Sequence, residues 1–229
     1  MRVLAVDTTT EACSVALQNG EEVIARFEEV GRSHAQQILG MVDAVLAEAQ
    51  WSLSKLDGLA AGVGPGSFTG VRISVAVAQG LAFGADLRVL PISTLEALAL
   101  QVVQRGASQA LACLDARMGE VYWGCFGADS KRGLAALGKA QVGPAASVRL
   151  STAGDYQGIG RGFSAYPQLQ ALPGLTVLRD DARALPNARE IAWLASMRLG
   201  QGEGIDPADL QPLYLRDKVA LTEAERAAM

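Results

Sequence analysis

Histidine is almost missing from this chain, and with it most routes to metal chemistry. His34 stands alone, with no CxxC pair and no HExxH helix, so no cluster of imidazole and thiolate ligands can close around a catalytic transition metal. Cysteine is scarce too. Cys13, Cys113 and Cys125 are odd in number and far apart in apolar surroundings, which fits buried reduced thiols of a cytoplasmic protein rather than a disulfide framework. No uncharged apolar run reaches the ~18 residues of a membrane span; the best, Ile73 to Ala85, is too short. The opening MRVLAVDTTT has an early acid and no apolar core of a signal peptide, so no membrane association is expected. Clustered positive charge is also lacking. A net charge of −4 and a pI near 5.1 argue against a protein that grips nucleic acid through its own surface, so any role on RNA is expected to be indirect.

What is present is a globular composition, 50% hydrophobic over 229 residues, long enough for one large or two small cores. The chain is organised around Val63 to Gly84, VGPGSFTGVRISVAVAQGLAFG. It begins as a Gly-Pro-Gly turn, in which Gly64 and Gly66 allow close approach to the backbone. Ser67 or Thr69 can cap the helix that follows. Gly70, Ser74, Ala78 and Ala82 recur every four residues, as do Ala76, Gly80 and Gly84. Residues four apart share a helix face, so this helix carries two smooth stripes that let backbones come close. One stripe suits its own sheet; the other asks for a second contact.

Before that turn, Val3 to Val6, Cys13 to Leu17 and Glu22 to Glu29 read as strands, with Asn19-Gly20 as a hairpin turn. Ser33 with Gln36 forms a capping box opening an amphipathic helix to Gln50, and Gly58 to Val63 is a further strand. After it come a strand at Val89 to Ile92 and a second capping box, Ser93 with Glu96. Strands alternating with helices behind an antiparallel hairpin imply an α/β layer fold with a mixed sheet.

Near Gly106 the pattern restarts. LAVDTTTEACSVAL and ACLDARMGEVYWGCF share an apolar run, an Asp, a turn and a second apolar strand, a weak internal repeat that suggests two related lobes, 1–105 and 106–229. Lys131 to Ala146 reads as loop with one strand. Gln157 to Gly162 and Leu175 to Leu178 read as strands, Asn187 to Leu199 as a helix ended at Gly200, Pro207 to Tyr214 as extended, and Thr222 to Met229 as a frayed tail or short helix.

Asp7 with Thr8 and Thr9 ends a buried strand, where a carboxylate and hydroxyls can meet phosphate or Mg²⁺; an Asx or Ser/Thr turn closing the hairpin accounts for them equally. Gly64, Gly66 and Ser67 form a phosphate-friendly turn at a helix N-terminus, without the GK[ST] ending of a P-loop; a structural turn fits as well. ATP or ADP is therefore an allowed ligand on Asp7, Thr8, Gly64, Gly66 and Ser67, and none is required. His34 reads as a surface or capping residue, Arg72 as a surface ion pair or an interface group, and Asp115 with Glu120 as solvated turn residues.

DTT at Asp7 to Thr9, SHAQQIL at Ser33 to Leu39, VGPGSFTGVRI at Val63 to Ile73, ISTLEALA at Ile92 to Ala99 and PLYLR at Pro212 to Arg216 together resemble the bacterial TsaB (YeaZ) family. The resemblance covers most of the chain and is densest before residue 105. It implies the duplicated two-lobed α/β fold of the actin, sugar-kinase and Hsp70-ATPase superfamily. It also implies a part in threonylcarbamoyl modification of the tRNA adenosine next to the anticodon, as partner of the metal-dependent paralogue TsaD and the ATPase TsaE. TsaD binds its metal through a HxxxH pair; Thr94 and Leu98 stand at those places here, and neither replaces an imidazole. The expected role is that of a cytoplasmic accessory subunit, not an enzyme, forming a heterodimer with the paralogue or a homodimer when alone. The contact is assigned to Ile38, Met41, Val42 and Val45 of one helix and Arg72, Ser74, Val75, Ala78 and Ala82 of the other. The alternatives are an ATP-dependent kinase or ATPase using Asp7 and, with less behind it, a peptidase.

Overall fold

The computed structural model describes residues 1–216; the tail expected at Thr222 to Met229 lies outside the described residues. The first lobe opens with β1 (Arg2–Asp7), β2 (Ala12–Asn19) and β3 (Glu22–Glu29), an antiparallel meander whose second hairpin turns at Gly20-Glu21, one residue past the expected Asn19-Gly20, with Asn19 paired to Glu22. Then follow α1 (His34–Ala49), β4 (Gly58–Gly62), α2 (Phe68–Ala85), β5 (Val89–Ile92) and α3 (Thr94–Val103). β4 joins β1 in parallel and β5 joins β4, giving a five-stranded sheet in the order β3-β2-β1-β4-β5.

The second lobe repeats this plan. β6 (Gln109–Arg117), β7 (Glu120–Asp129) and β8 (Gly133–Ala136) are again antiparallel, and β9 (Gln141–Pro144) adds to β7. β10 (Tyr156–Ile159) then pairs in parallel with β6, and β11 (Leu175–Val177) with β10, around the short α4 (Gly162–Ala165). The order β8-β7-β6-β10-β11 matches β3-β2-β1-β4-β5 strand for strand. The fold is therefore the two-lobed, duplicated α/β architecture of the actin type. The segment from Lys131 to Ala146 holds two strands, not one, because Gly133 at φ +82° closes a tight turn beneath Trp193 that periodicity does not reveal.

The last helix, α5 (Ala188–Leu199), crosses back to the first lobe. Its Ala188, Ile191, Ala192, Leu194 and Ala195 join Val3, Ala5, Ala16 and Ala60 of the first sheet and Leu95 and Leu98 of α3 in one buried cluster with Ala110, Ala112 and Ile159 of the second sheet. α3 and α5 thus form a layer shared by both sheets, and a boundary at residue 105 does not divide the core. α1 and α2 cover the other face of the first sheet.

Local chemistry explains the helix ends. The Ser93–Glu96 capping box forms as expected, with Ser93 accepting from Leu95 N–H and Ser93 N–H donating to Glu96. Ser67 caps α2 by accepting from Gly70 N–H, and Asn187 caps α5 through Arg189 N–H. The Ser33 box does not form: its hydroxyl donates instead to Val30 carbonyl and holds Gln37. At 18 residues, α2 matches a membrane span in length and apolar composition, yet one whole stripe of it is sealed against the first sheet.

Candidate functional site

β1 ends at Asp7, and the hairpin that follows is clasped to the Gly64–Gly70 turn. Ser67 N–H donates to Thr9 carbonyl at 2.7 Å, and the Thr8 hydroxyl donates to Gly70 carbonyl at 2.7 Å. Thr9 and Thr94 share a hydroxyl contact at 3.0 Å. A Cβ at Gly66 would sit 2.1 Å from Thr9 O, and one at Gly70 would sit 2.0 Å from Thr8 O. These glycines exist because the hairpin backbone fills the space a side chain would need. The Ser67 N–H and Thr8 hydroxyl that could have met a phosphate are already spent on this clasp. Of the five residues expected to hold a nucleotide, Gly66 and Ser67 line the cleft between the lobes, while Asp7, Thr8 and Gly64 do not. The structural-turn reading of both motifs accounts for this geometry.

Asp7 is fully buried, with Oδ1 accepting weakly from Thr9 N–H at 3.3 Å and Oδ2 without a partner. Burial raises its pKa to about 7, opposed by the Thr9 contacts. Glu190, at the start of α5, also has an orphaned buried oxygen and is raised to about 7 by burial. Thr94 and Leu98, at the positions compared with metal-binding histidines, are both buried. Among the described residues no three His, Cys, Asp or Glu side chains gather as a metal site. The three thiols are buried and free; burial, aided by Asp7, pushes Cys13 up to about 11, and burial pushes Cys113 well above the usual thiol range.

The cleft encloses about 870 Å³. His34 lines it but is not a surface residue: it is buried, with Nε2 2.9 Å from Thr10 carbonyl oxygen, and so ties α1 to the hairpin. Three of the four arginines lining the cleft face the protein's own carboxylates, and Arg32 forms no ion pair among the described residues. Arg117 pairs with Asp115 at 2.9 Å and reaches across to Glu11 at 3.3 Å. Arg161 pairs with Glu29 at 2.7 Å and lies 3.8 Å from Glu11. Arg216 binds Glu120 and the Ala116 carbonyl, so Glu120 is paired and not simply solvated. Each tie from Glu11 or Glu29 bridges the lobes.

The outer face of α1 and α2 is a second candidate site. Along α2 the stripe Gly70, Ser74, Ala78 and Ala82 is buried on the first sheet, where Ser74 donates to Val6 carbonyl. The other stripe, Ala76, Gly80 and Gly84, is exposed beside Phe83, and Leu39 and Gly40 are exposed on α1. A Cβ added at Gly40, Gly80 or Gly84 would meet nothing. The contact residues expected from sequence need correction here. Ile38, Met41, Val42, Val45, Ser74, Val75, Ala78 and Ala82 are all interior and cannot touch a partner, since each helix spends its strongest apolar face on its own sheet. Arg72 alone of that set is exposed. It forms no ion pair among the described residues; its guanidinium lies 3.3 Å from the Phe68 ring centroid and 5.3 Å from that of Tyr214. The exposed stripe is visible in the sequence as Ala76-Gly80-Gly84, but its spacing is the same as that of the buried one.

Comparison with known proteins gives one answer. The family model described as TsaD, tRNA N6-adenosine threonylcarbamoyltransferase, matches residues 25–224. The tRNA threonylcarbamoyladenosine biosynthesis protein TsaB of Escherichia coli (strain K12) is 42% identical over 226 residues, covering 96% of each chain. TsaB of Haemophilus influenzae is 37% identical over 230 residues, covering 96% of this chain and 95% of that one. A crystal structure described as an uncharacterized protein with similarity to peptidase YEAZ, from Pseudomonas aeruginosa, superposes with a TM-score of 0.87 at 39% identity, covering 94% of this chain and 99% of that one.

Proposed function

The chain belongs to the TsaB (YeaZ) family, and from that membership we propose that it is a non-catalytic cytoplasmic subunit in the synthesis of threonylcarbamoyladenosine in tRNA. It acts by pairing with a metal-dependent TsaD-type paralogue, which it activates together with a TsaE-type ATPase. The observation that carries this reading is the exposed small-residue stripe of α2, Ala76-Gly80-Gly84, together with the exposure of Leu39 and Gly40 on α1. A face that costs no side-chain displacement lets a partner helix approach to the short end of the ~8–10 Å interaxial range. Phe83, 60% exposed at its edge, supplies an aromatic anchor. The paralogue's model matches this chain, so a like face on both proteins allows a mixed dimer or, for the chain alone, a self-pair about a two-fold axis. Such an interface buries roughly 1,200–2,000 Å². No bound nucleotide is needed for this role, consistent with the spent groups of the clasp.

Light-scattering mass after size exclusion, on the chain alone and with its TsaD-type paralogue, tests the proposal. The expected result is a homodimer that converts to a mixed dimer, with Gly80→Trp abolishing pairing while leaving the fold intact. A chain indifferent to the paralogue, or pairing untouched by Gly80→Trp, would overturn it.

A further inference from the structure

The acidic total hides an uneven distribution of charge. Residues 1–105 carry seven Lys and Arg against eleven Asp and Glu, whereas residues 106–216 carry eleven against ten. Within the second lobe, arginines gather around one stretch. Arg179, Arg183 and Arg189 lie on it, exposed and without an ion pair among the described residues. Arg105 is brought to it at 2.5 Å from Asp181, and Arg161 by donating from Nε to the Arg183 carbonyl at 3.3 Å.

The acids that could neutralise this stretch are mostly turned away. Asp181 is buried, its Oδ1 taken by Arg105 and its Oδ2 by Gln157 at 2.9 Å. Glu190 is largely enclosed at the start of α5. Asp180 is the one exposed acid between Arg179 and Arg189. Between Arg179 and Arg183 lies a pocket of about 400 Å³, floored by Val177 and Ala182 and flanked by Ser164 and Gln170. Its volume is at the small end of the ~300–1,000 Å³ typical of ligand sites. The Ser164 hydroxyl is engaged with Ala182 carbonyl and Gln170 Nε2 with Phe163 carbonyl, which leaves the two guanidinium groups as the main free donors. Planar five-donor forks without a counter-ion are suited to phosphate oxygens.

We propose that this second-lobe pocket, with Arg179 and Arg183 at its walls, is a seat for a backbone phosphate of RNA. The inference rests on the tRNA reading above, and RNA is favoured over a free anion because Arg189 adds a third unpaired guanidinium to the stretch beyond the two that one phosphate group engages. The contact is non-specific, since nothing in the pocket is arranged to read a base edge.

The test is fluorescence anisotropy of a labelled, unmodified tRNA transcript titrated with the full chain at several salt concentrations. Affinity in the range of about 10⁻⁴–10⁻⁶ M and falling with salt is expected. R179E/R183E should lose about tenfold in affinity and flatten the log–log salt slope by about one, as removal of one phosphate contact requires. R179Q/R183Q should lose less, and the charge-matched K131E/K139E should change neither quantity by a comparable amount. An undiminished affinity in R179E/R183E with native circular dichroism overturns the proposal. So does loss of inorganic phosphate binding in that variant with tRNA binding unchanged, because the seat then serves a free anion. Pairing of R179E/R183E with the paralogue, measured on the same samples, separates the two readings. Retained pairing with weakened tRNA binding supports the phosphate seat. Should the wild type fail to pair at all, the subunit role fails, while the anisotropy result still decides the seat.

Discussion

Replacing Asp7 with asparagine should stabilise the protein above neutral pH and leave it almost unchanged only below about pH 4. The reason is the carboxyl's position: fully buried, one oxygen without a partner, and held up to about 7 by the loss of water around it. The ordinary value is 3.8, so the folded state holds this proton more tightly than the unfolded chain does. The associated stabilisation is fully present below 3.8 and disappears as pH rises through about 7. Between pH 5 and 8 the wild type should therefore lose about 2–3 kcal/mol from this one group. Asparagine keeps the acceptor for Thr9 N–H and never ionises, so the variant avoids that loss. Glu190 imposes a parallel decline on both proteins, and the difference between them isolates Asp7. Urea unfolding followed by tryptophan fluorescence at pH 5 and pH 8 reads the effect. Parallel pH profiles for the two proteins, or an asparagine variant weaker than wild type at pH 8, would refute the assignment of a costly buried charge.

Other substitutions test the clasp, the shared helix layer and the thiols. Gly70→Ala, which drives a Cβ to 2.0 Å from Thr8 carbonyl oxygen, should cost more than the ~1 kcal/mol of a helix-interior Gly change and be read as a lowered urea midpoint; Gly84→Ala, which meets nothing, should be neutral or stabilising. Ser93→Ala should cost about 1 kcal/mol as a lost cap. Glu96→Ala should cost about 3–5 kcal/mol, because it leaves Arg198, 7% exposed and paired at 2.7 Å, buried without its counter-charge; equal losses for the two would refute this. Cys13 and Cys113 should resist a disulfide reagent in the native protein at pH 8 and react once urea is added, since burial keeps both protonated.

Much of this was legible in advance because local and global signals agree. The hairpin signalled by Asn19-Gly20, which turns one residue later, the Ser93–Glu96 box and the alternation of strands with helices each fix an element through chemistry within a few residues. The restart at Ala110 reappears as matching strand orders in the two sheets. What failed depended on distance in the chain. Nothing near Asn187 says that α5 will return to β1 and β2, and nothing near Ser33 says that its hydroxyl will favour Val30. The two stripes of α2 share spacing and composition, and only the position of the first sheet decides which is hidden. The Asp7 and Gly64 motifs look like anion sites because close backbone approach and phosphate binding demand the same residues.

The return of α5 also sets a timetable for synthesis. One face of β1, β2 and β4 waits for residues 188–199, roughly 126 positions after β4 ends at Gly62. At about 5–20 residues per second, that apolar sheet face emerges on the ribosome some 6–25 seconds before its cover does. A nascent chain of the first lobe alone is thus a natural client for a holdase chaperone, and a stop codon anywhere before residue 188 would leave the face permanently bare.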